Sequence, residues 1–346
     1  MSRHSLIRLI VLLAFLAGSA AGTPAGASST ITGRVLSSQS YAPLENANVF
    51  IAQTFCGTST DTGGRFILNP DFLGSFDLVV SRVGYEHKHV RLQLAGGDTI
   101  RLDIRLDPRV IAGDTIQVVS MRPEEWERRL DDFLPVFIGP AVSPEGCTLV
   151  NPWVVDFRMS GDTLIASSDS MLMIENRAFG YHIRTFIGEF RWDLRHNAGI
   201  WSTYPSFSFL SDSSGKKKGL WEKNRRDQYL GSLRHFLRSC IRHRLAEEGF
   251  IVKTLRWAGW SIIDEDMIGL GRIPGTGLFA WRYPYRVSAE YHASGRNGIL
   301  RLVADYALVD YTGFLVTPFA MEVGGRWGDE RVGSMLPLEY LPEERP

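Results

Sequence analysis

Residues 29–107 alternate short strand-like runs with turn-forming residues, and this pattern constrains the fold more than any other feature. The runs are "TITGRVLS", "APLENANVFIA", "GTSTDTGGRFIL", "GSFDLVVSRVGYE" and "GDTIRLDIRLD". Strands of about five to seven residues, separated by Gly, Asp and Pro at short spacing, are typical of an all-β sandwich. The pattern therefore predicts an N-terminal β-sandwich over residues 29–108.

One turn in this region, at residues 61–63, has the Asp-Thr-Gly that carries the catalytic carboxylate of aspartic proteases. Those enzymes need a second carboxylate that shares a proton with the first, and the sequence has no second Asp-Thr-Gly or Asp-Ser-Gly. The related Gly-Asp-Thr recurs at Gly97, Gly113 and Gly161, each time before a strand-like run. Because Asp and Gly suit hairpin turns, we interpret Asp61 as a turn residue.

The same segments resemble a known family. The runs "GRV", "PLENANVFI", "TSTDTGGRFIL" and "LVVSRVGYE" are similar, in that order, to the carboxypeptidase-like regulatory domain over residues 30–108. The resemblance implies a prealbumin-like β-sandwich, which is found in many exported bacterial proteins. That domain is named for its attachment to metallocarboxypeptidases, so the resemblance implies no catalysis by the domain itself.

Residues 1–22 have the three parts of a secretory signal peptide. Arg3 and Arg8 supply the basic start, residues 9–17 form an apolar run, and small residues follow. The run is too short to span a bilayer, which argues against a membrane anchor. No Cys lies near the cleavage region, so a lipid anchor is not expected. We expect an exported protein of the periplasm, outer-membrane surface or extracellular space, without a transmembrane segment after signal removal.

Charge balance and cysteine usage exclude several function classes. Lys+Arg and Asp+Glu both total 38, so no global field would attract nucleic acid. Cys56, Cys147 and Cys240 include no C-x-x-C pair, which argues against a zinc site or thioredoxin-like chemistry. Export permits disulfides, but their pairing stays open because the count is odd, and buried, unreactive thiols are favoured. No cofactor is expected.

Beyond a linker at residues 109–122, residues 123–346 are predicted to form a larger α+β domain with an antiparallel sheet. A short helix is expected over residues 123–134, followed by strand-like runs such as "GYHIRTFIGEFRWDL" and "LRLVADYALV". The whole chain is therefore predicted to be mainly β.

One long amphipathic helix is expected over residues 225–248 of this domain. Asn224 can cap its start and Gly249 can end it. Phe236 lies near the middle of its apolar face. Gly231 lowers the helix propensity by about 1 kcal/mol, which suggests that something packs closely there.

Most of residues 121–341 also resembles a family. The runs "FIGPAVSPEGCTLVNPWVVDF", "LMIENRAFGYHIRTFIGEF", "RRDQYLGSLRHFLRS" and "GRWGDERVGSMLPLEY" are similar, in that order, to segments of an uncharacterised exported family of Bacteroidetes-type bacteria. Members of that family place this region behind the same regulatory domain. The resemblance implies no activity.

Few catalytic motifs occur in the chain. It has no His-x-x-Glu or His-Glu-x-x-His for a zinc carboxypeptidase and no Gly-x-Ser-x-Gly for a serine hydrolase. The Gly-rich residues 269–277 lack the Lys-Ser/Thr of a phosphate-binding loop. His87 and His89 would share one face of a strand, but without a third ligand we expect them to be solvated rather than metal-bound.

Two groups of residues are candidates for binding. Trp192, Trp201 and Tyr204 cluster along probable strands and could stack on sugars, or could belong to the core. The predicted long helix carries a basic ridge that could dock an anionic sugar, a lipid head group or a partner, or could simply be solvated. The ridge is formed by Arg234, Arg238 and Arg242 at every fourth position. The candidate binding residues on and near it are Arg226, Arg234, His235 and Arg238.

These observations favour an exported, non-catalytic protein of the cell envelope. We expect it to be a binding or interaction module whose partner is a glycan or another envelope protein. The alternative is a hydrolase whose site is assembled from scattered residues of the C-terminal domain.

Overall fold

Three clusters of buried apolar side chains divide the fold into an N-terminal, a middle and a C-terminal unit. The computed structural model describes residues 29–72, 74–94, 97–109, 122–139, 146–212, 215, 217–256, 259–263, 268 and 270–342. The predicted signal peptide and nearly all of the predicted linker lie outside these residues.

The N-terminal unit is a β-sandwich, as predicted. One sheet has the strand order β4-β1-β7 and the other β3-β2-β5-β6, and their inner faces enclose one core. All pairs are antiparallel except β1 with β7. The strands are β1 (Thr30–Ser37), β2 (Asn48–Ile51), β3 (Gly57–Ser59), β4 (Arg65–Leu68), β5 (Gly74–Ser81), β6 (Lys88–Leu94) and β7 (Thr99–Leu106).

Asp61 forms a turn, as its sequence context predicts. Its exposed carboxylate Oδ1 accepts hydrogen bonds from the backbone N–H groups of Gly63 at 2.9 Å and Arg65 at 2.7 Å. The flanking strands β3 and β4 lie in different sheets. The expectation of a hairpin is therefore wrong in one respect: this turn carries the chain from one sheet of the sandwich to the other.

The middle unit consists of one helix and two four-stranded antiparallel sheets around a second core. The sheets have the orders β14-β13-β10-β9 and β15-β12-β11-β8, and Phe133 and Phe137 of the helix are buried between them. The elements are α1 (Pro123–Phe137), β8 (Cys147–Leu149), a 3-10 turn (Pro152–Val154), β9 (Val155–Ser160), β10 (Thr163–Ser168), β11 (Leu172–Asn176), β12 (Tyr181–Thr185), β13 (Ile187–Asp193), β14 (Ala198–Thr203) and β15 (Ser206–Phe209).

The C-terminal unit packs a short helix against a five-stranded and a three-stranded antiparallel sheet. Their orders are β17-β16-β20-β21-β23 and β18-β19-β22. The elements are α2 (Lys218–Tyr229), α3 (Leu233–Ile241), β16 (Phe250–Arg256), β17 (Gly259–Ile262), β18 (Leu270–Ile273), β19 (Leu278–Trp281), β20 (Arg286–Tyr291), β21 (Arg296–Leu302), β22 (Ala307–Asp310), β23 (Met321–Gly325) and two 3-10 turns, Arg326–Asp329 and Val332–Ser334.

The predicted single long helix is two helices, α2 and α3, so this detail of the prediction is wrong. Gly231 lies at the break with a φ of +77°, a conformation that a helix cannot accommodate. A Cβ atom there would come within 2.9 Å of Tyr291 Cβ, so the expected close packing exists. Ser232, not Asn224, caps α3, because its side chain accepts the His235 N–H. The helix ends at Ile241, before the expected Gly249.

The break lets the chain pass from one unit to the next. On α2, Trp221, Asn224 and Arg225 donate hydrogen bonds to backbone carbonyls of residues 177–179 in the middle unit, at 2.7–2.8 Å. Phe236 and other residues of α3 are instead buried in the C-terminal core. A continuous helix could not place both faces in this way.

The chain's last described residues, 331–342, form a tail that contacts all three units. The Gly333 N–H donates to the Ile138 carbonyl of the middle unit at 2.9 Å. The Leu338 N–H donates to the Gln53 carbonyl of the N-terminal unit at 2.8 Å. Arg234 of α3 donates to further tail carbonyls. The tail therefore joins the units.

The observed fold confirms a mainly β protein with antiparallel sheets and an N-terminal β-sandwich. Among the residues that the structure describes, no helix is both long and apolar enough to cross a membrane.

Candidate functional site

A large cleft lies between the middle and C-terminal units, with a volume of about 1250 Å³. We refer to it as the inter-unit cleft. Strands β13 and β14 contribute one wall, and α3, β23 and the loops near residues 303–319 contribute the other. Its lining includes Trp192, Asn197, Ile200, Trp201, Tyr229, Leu233, Arg234, Val303, Phe319, Glu322, Asp329, Glu330 and Arg331.

Two of the predicted aromatic residues, Trp192 and Trp201, line the inter-unit cleft. They lie on neighbouring strands, where Trp192 pairs with Gly199 and Trp201 pairs with Phe190. Trp192 is only 7% exposed, whereas Trp201 is half-buried. A Cβ atom on Gly199 would come within 2.8 Å of the Trp192 ring, so glycine is required for the ring to cross β14. Trp192 thus serves the core, and Trp201 remains partly open to the cleft.

The guanidinium of Arg331, at the start of the tail, lies over the rings of Trp192 and Trp201. Its guanidinium carbon lies 5.3 Å from the Trp192 ring centroid and 5.7 Å from that of Trp201, within cation–π range. Nη1 donates to the Gly328 carbonyl and, at 2.9 Å, to the Glu330 carbonyl. Nε is buried without an acceptor. Burial lowers the pKa of Arg331, because a desolvated guanidinium loses hydration.

Arg234 also lines the cleft, but its guanidinium is directed to the tail. It donates to the carbonyls of Pro337 at 2.7 Å, Leu338 at 2.9 Å and Tyr340, with a longer contact of 3.4 Å to Leu336. Burial lowers its pKa, with Arg238 adding repulsion. Arg234 therefore positions the tail while keeping a positive charge beside the cleft.

His235 lies beside Ser239 and Glu248, a set of residue types found in catalytic triads, but their geometry is not catalytic. Its Nδ1 accepts the Gly231 N–H at 3.0 Å, so the proton lies on Nε2, which donates to Glu248 Oε2 at 2.8 Å. The Ser239 hydroxyl lies 3.0 Å from the same carboxylate oxygen and 2.8 Å from the His235 carbonyl, and is fully buried. Burial lowers the pKa of His235. Both ring nitrogens are occupied, so His235 activates no nucleophile here.

The predicted basic ridge is not exposed at Arg238, although Arg242 at its end is exposed. Arg238 is 9% exposed, its Nη1 lies 3.5 Å from the Tyr229 hydroxyl, and its Nε is buried without an acceptor. Arg226 is half-buried and likewise has an unbonded Nε. The expectation of an exposed ridge is corrected because α3 is inserted between the C-terminal core and the tail. The structure brings Arg234 to the inter-unit cleft and leaves Arg226, His235 and Arg238 outside its lining.

Tyr204 lies at another place, the contact between the N-terminal and middle units. Its ring stacks on His89 at a centroid distance of 4.8 Å, and His87 stacks on Phe186 at 4.2 Å. Burial raises the pKa of Tyr204. The expectation that His87 is solvated is wrong, because the ring is half-buried and its Nδ1 is a buried atom without a partner.

No metal site or disulfide is seen in the described part of the chain. No group of three or more His, Cys, Asp or Glu side chains there is arranged to hold a metal ion. Cys147 and Cys240 are buried, Cys56 is half-buried, and none forms a disulfide. Burial raises the pKa of Cys56 to about 11 and that of Cys147 to about 12, so both stay protonated near neutral pH.

Several cleft residues had no signal in the sequence. Ile200, Val303 and Phe319 line the cleft and are 39%, 50% and 48% exposed, so apolar groups from both units form its open side. Phe319 has a φ of +54°, which is rare for a bulky side chain and marks a strained presentation. Isolated apolar residues in loops have no periodicity, and this is why the sequence did not reveal them.

Glu330, an ionisable residue of the cleft, was also not revealed by the sequence. It lines the cleft beside Arg331, and burial raises its pKa to about 7. Arg296, the Leu233 backbone N–H and Arg234 oppose this rise by favouring the ionised form. Near neutral pH the Glu330 carboxyl therefore exchanges readily between its protonated and ionised states.

Comparison with protein families identifies the N-terminal unit. Its two sheets, apart from Thr30 at the start of β1, and the turn at Asp61 fall within residues 31–118, which match the family model described as the CarboxypepD_reg-like domain. The N-terminal unit is a CarboxypepD_reg-like domain. The match covers the N-terminal unit alone, and residues 110–118 of it lie outside the described residues. No curated protein matches the chain.

Solved structures similar to parts of this chain come from several bacteria. One is a cohesin–X-dockerin complex from Acetivibrio cellulolyticus, with 16% identity and a TM-score of 0.20, aligned over 22% of this chain and 56% of that one. A proposed membrane-associated protein of unknown function from Bacteroides fragilis has 13% identity and a TM-score of 0.21, over 56% and 85%. A proposed carbohydrate binding protein from Bacteroides uniformis has 9% identity and a TM-score of 0.21, over 82% and 100%. TM-scores this low establish no common overall fold.

Proposed function

We propose that this protein is an exported, non-catalytic binding module of the cell envelope and that its inter-unit cleft binds a glycan. The observation that carries the proposal is the composition of the cleft. It combines a half-buried indole, exposed apolar side chains from both units and polar groups within one volume of about 1250 Å³.

This composition suits the chemistry of a sugar. A pyranose ring has an apolar C–H face, which stacks on aromatic and aliphatic side chains, and hydroxyl groups on its edge, which need donors and acceptors. Trp201 and Phe319 supply the first kind of contact, and Asn197 and Glu330 can supply the second.

Asp61 and His235, whose residue types could be catalytic, both have structural roles, which supports a non-catalytic function. The Asp61 carboxylate accepts two backbone hydrogen bonds in a turn of the N-terminal unit. His235 uses both ring nitrogens in structural contacts. Export is proposed from residues 1–22 and from the resemblance of the N-terminal unit to domains of exported bacterial proteins.

Binding of the mature protein to a glycan array tests the proposal. We expect at least one oligosaccharide to bind, and we expect Trp201→Ala and Phe319→Ala to weaken that binding by about tenfold each, since an aromatic contact contributes about 1–1.5 kcal/mol. Trp153→Ala is the matched control, because Trp153 is 72% exposed and does not line the cleft. Binding that is lost with Trp153→Ala but kept with Trp201→Ala would contradict the proposed site.

A hydrolase is the second candidate, favoured by one observation. Glu330 lines the cleft with a pKa raised to about 7, as a general acid requires. Incubating the protein with the glycan that it binds distinguishes the two functions. Shortened products from the wild-type protein, absent with Glu330→Gln, would establish the hydrolase, whereas unchanged glycan supports the binding module.

A further inference from the structure

The charges around the inter-unit cleft indicate which class of glycan would fit it. Two cationic side chains line the cleft, Arg234 and Arg331. Neither forms an ion pair with a carboxylate of the described residues, and all their described hydrogen-bond acceptors are backbone carbonyls. Carbonyls satisfy N–H groups but carry no net charge, so no carboxylate of the described residues neutralises either guanidinium by direct contact. Asp310 and Glu339 attract Arg234, and Asp329 attracts Arg331, from beyond ion-pair distance.

The carboxyl groups of the lining do not cancel this charge. Glu322 is exposed and is held in an ion pair with Arg301 on the neighbouring strand. Burial raises the pKa of Glu330 to about 7, while Arg296, the Leu233 N–H and Arg234 favour its ionised form. Asp329 is the remaining acid of the lining, and it interacts with Arg331. The balance leaves a positive region beside the indole of Trp201.

Arg331 is the side chain best placed to contact an anion. Nη1 makes the described hydrogen bonds of its guanidinium, to the carbonyls of Gly328 and Glu330. Nη2 donates to no described residue, and Nε is a buried donor without an acceptor. Nε and Nη2 form the side of the guanidinium that binds a carboxylate through two parallel hydrogen bonds.

We propose that the glycan bound in the inter-unit cleft is acidic, with a carboxylate-bearing sugar whose anion pairs with Arg331 while its ring contacts Trp201. This inference rests on the proposed glycan function and specifies its ligand class. Partner proteins with acidic peptides could offer the same carboxylate, but they would lack the rigid C–H face that suits the indole and the exposed apolar groups of the cleft.

Two matched ligands test the charge directly. The probes are a trigalacturonate and its fully methyl-esterified form, which keeps the sugar backbone and removes the charge. We expect calorimetry to show at least about tenfold tighter binding of the free acid at low salt, and we expect this preference to shrink as salt is raised. Arg331→Gln should abolish the preference. Arg177→Gln, which removes an exposed arginine paired with Glu175 far from the cleft lining, should preserve it.

The outcomes distinguish the ligand class, the role of Arg331 and the proposed glycan binding itself. Equal binding of the two probes by the wild-type protein would overturn the acidic class while leaving a glycan-binding cleft. A preference for the acid that persists in Arg331→Gln would overturn the role of Arg331. Failure of both probes, and of every glycan on the array, would overturn the proposed function itself. If Arg331→Gln lowers the melting temperature too far, Arg331→Lys replaces it, and we expect a reduced preference because an ammonium lacks the two-pronged geometry.

Discussion

At the scale of single residues, the sequence predicted which residues shape the backbone, but it did not predict which residues form contacts between units. The turn role of Asp61 follows from local chemistry, since a short carboxylate beside glycines can accept two N–H groups within four residues. The sequence also predicted that Gly231 is a point of close packing. It did not predict that His87 stacks on Phe186, because the two residues are almost one hundred positions apart and belong to different units.

We expect His87 to make the contact between the N-terminal and middle units sensitive to pH. Burial lowers the pKa of His87, with His89 and Arg109 adding to this effect and Glu86 opposing it. Asp77 and Arg91, which act on Tyr204, and Asp169, which pairs with Arg109, also lie near this contact. Because the packed form binds the proton less well than the free imidazole, stability is complete above the ordinary pKa of about 6.5 and is lost as pH falls below it.

We therefore expect the melting temperature to fall more steeply between pH 7 and pH 5 in the wild-type protein than in His87→Phe. Phenylalanine preserves the stacking on Phe186 and cannot bind a proton. Differential scanning calorimetry across this pH range measures the effect. Identical pH profiles for the two proteins would show that protonation of His87 does not weaken the contact.

At the scale of elements, the main difference from the sequence prediction is the division of one helix into two. Periodicity identified the apolar positions correctly, since Phe236 and Leu237 are fully buried. It could not show that α2 and α3 pack on different units, because an amphipathic pattern does not identify its partner. The same limit explains Arg238: a residue at a polar position of a helix is buried here because the helix is covered on a second side.

Burial of Arg238 leads to a definite expectation for its substitution. Arg238→Glu places a carboxylate at a site that is 9% exposed. Burial in this unit disfavours the ionised form of a carboxyl group, as the raised pKa of Asp310 shows. We expect a loss of about 3–5 kcal/mol of unfolding free energy, similar to that of Phe236→Ala. Chemical denaturation of both variants measures this. A loss for Arg238→Glu below about 1 kcal/mol would mean that the side chain is solvated.

At the scale of the whole molecule, the sequence predicted the N-terminal sandwich and the mainly β content, but not how the three units are joined. Alternation and turns predicted the N-terminal sandwich, and a mainly β chain was expected throughout. The tail carried no periodic signal, yet it contacts all three units and contributes Arg331 to the cleft lining, directly after Glu330. Long-range contacts of an irregular segment depend on the assembled units, so local patterns contain little information about them.

Arg234 tests whether the tail holds the units together. Arg234→Met keeps an apolar stem but removes the donors to the carbonyls of residues 336–340. We expect a loss of about 2–4 kcal/mol of unfolding free energy and earlier proteolysis of the tail. Arg34→Met, which removes an exposed partner of Asp103, is the control and should change little. Equal, small effects of the two substitutions would contradict the role of the tail.

Binding of an acidic glycan in the inter-unit cleft should change the indole N–H signals of the tryptophans that line it. Trigalacturonate is titrated into labelled protein while these signals are followed by NMR. The account predicts that the signals of Trp201 and Trp192 shift together and saturate, while the signal of the exposed Trp153 stays in place. Saturating shifts confined to tryptophans outside the cleft, such as Trp153 or Trp260, would contradict it.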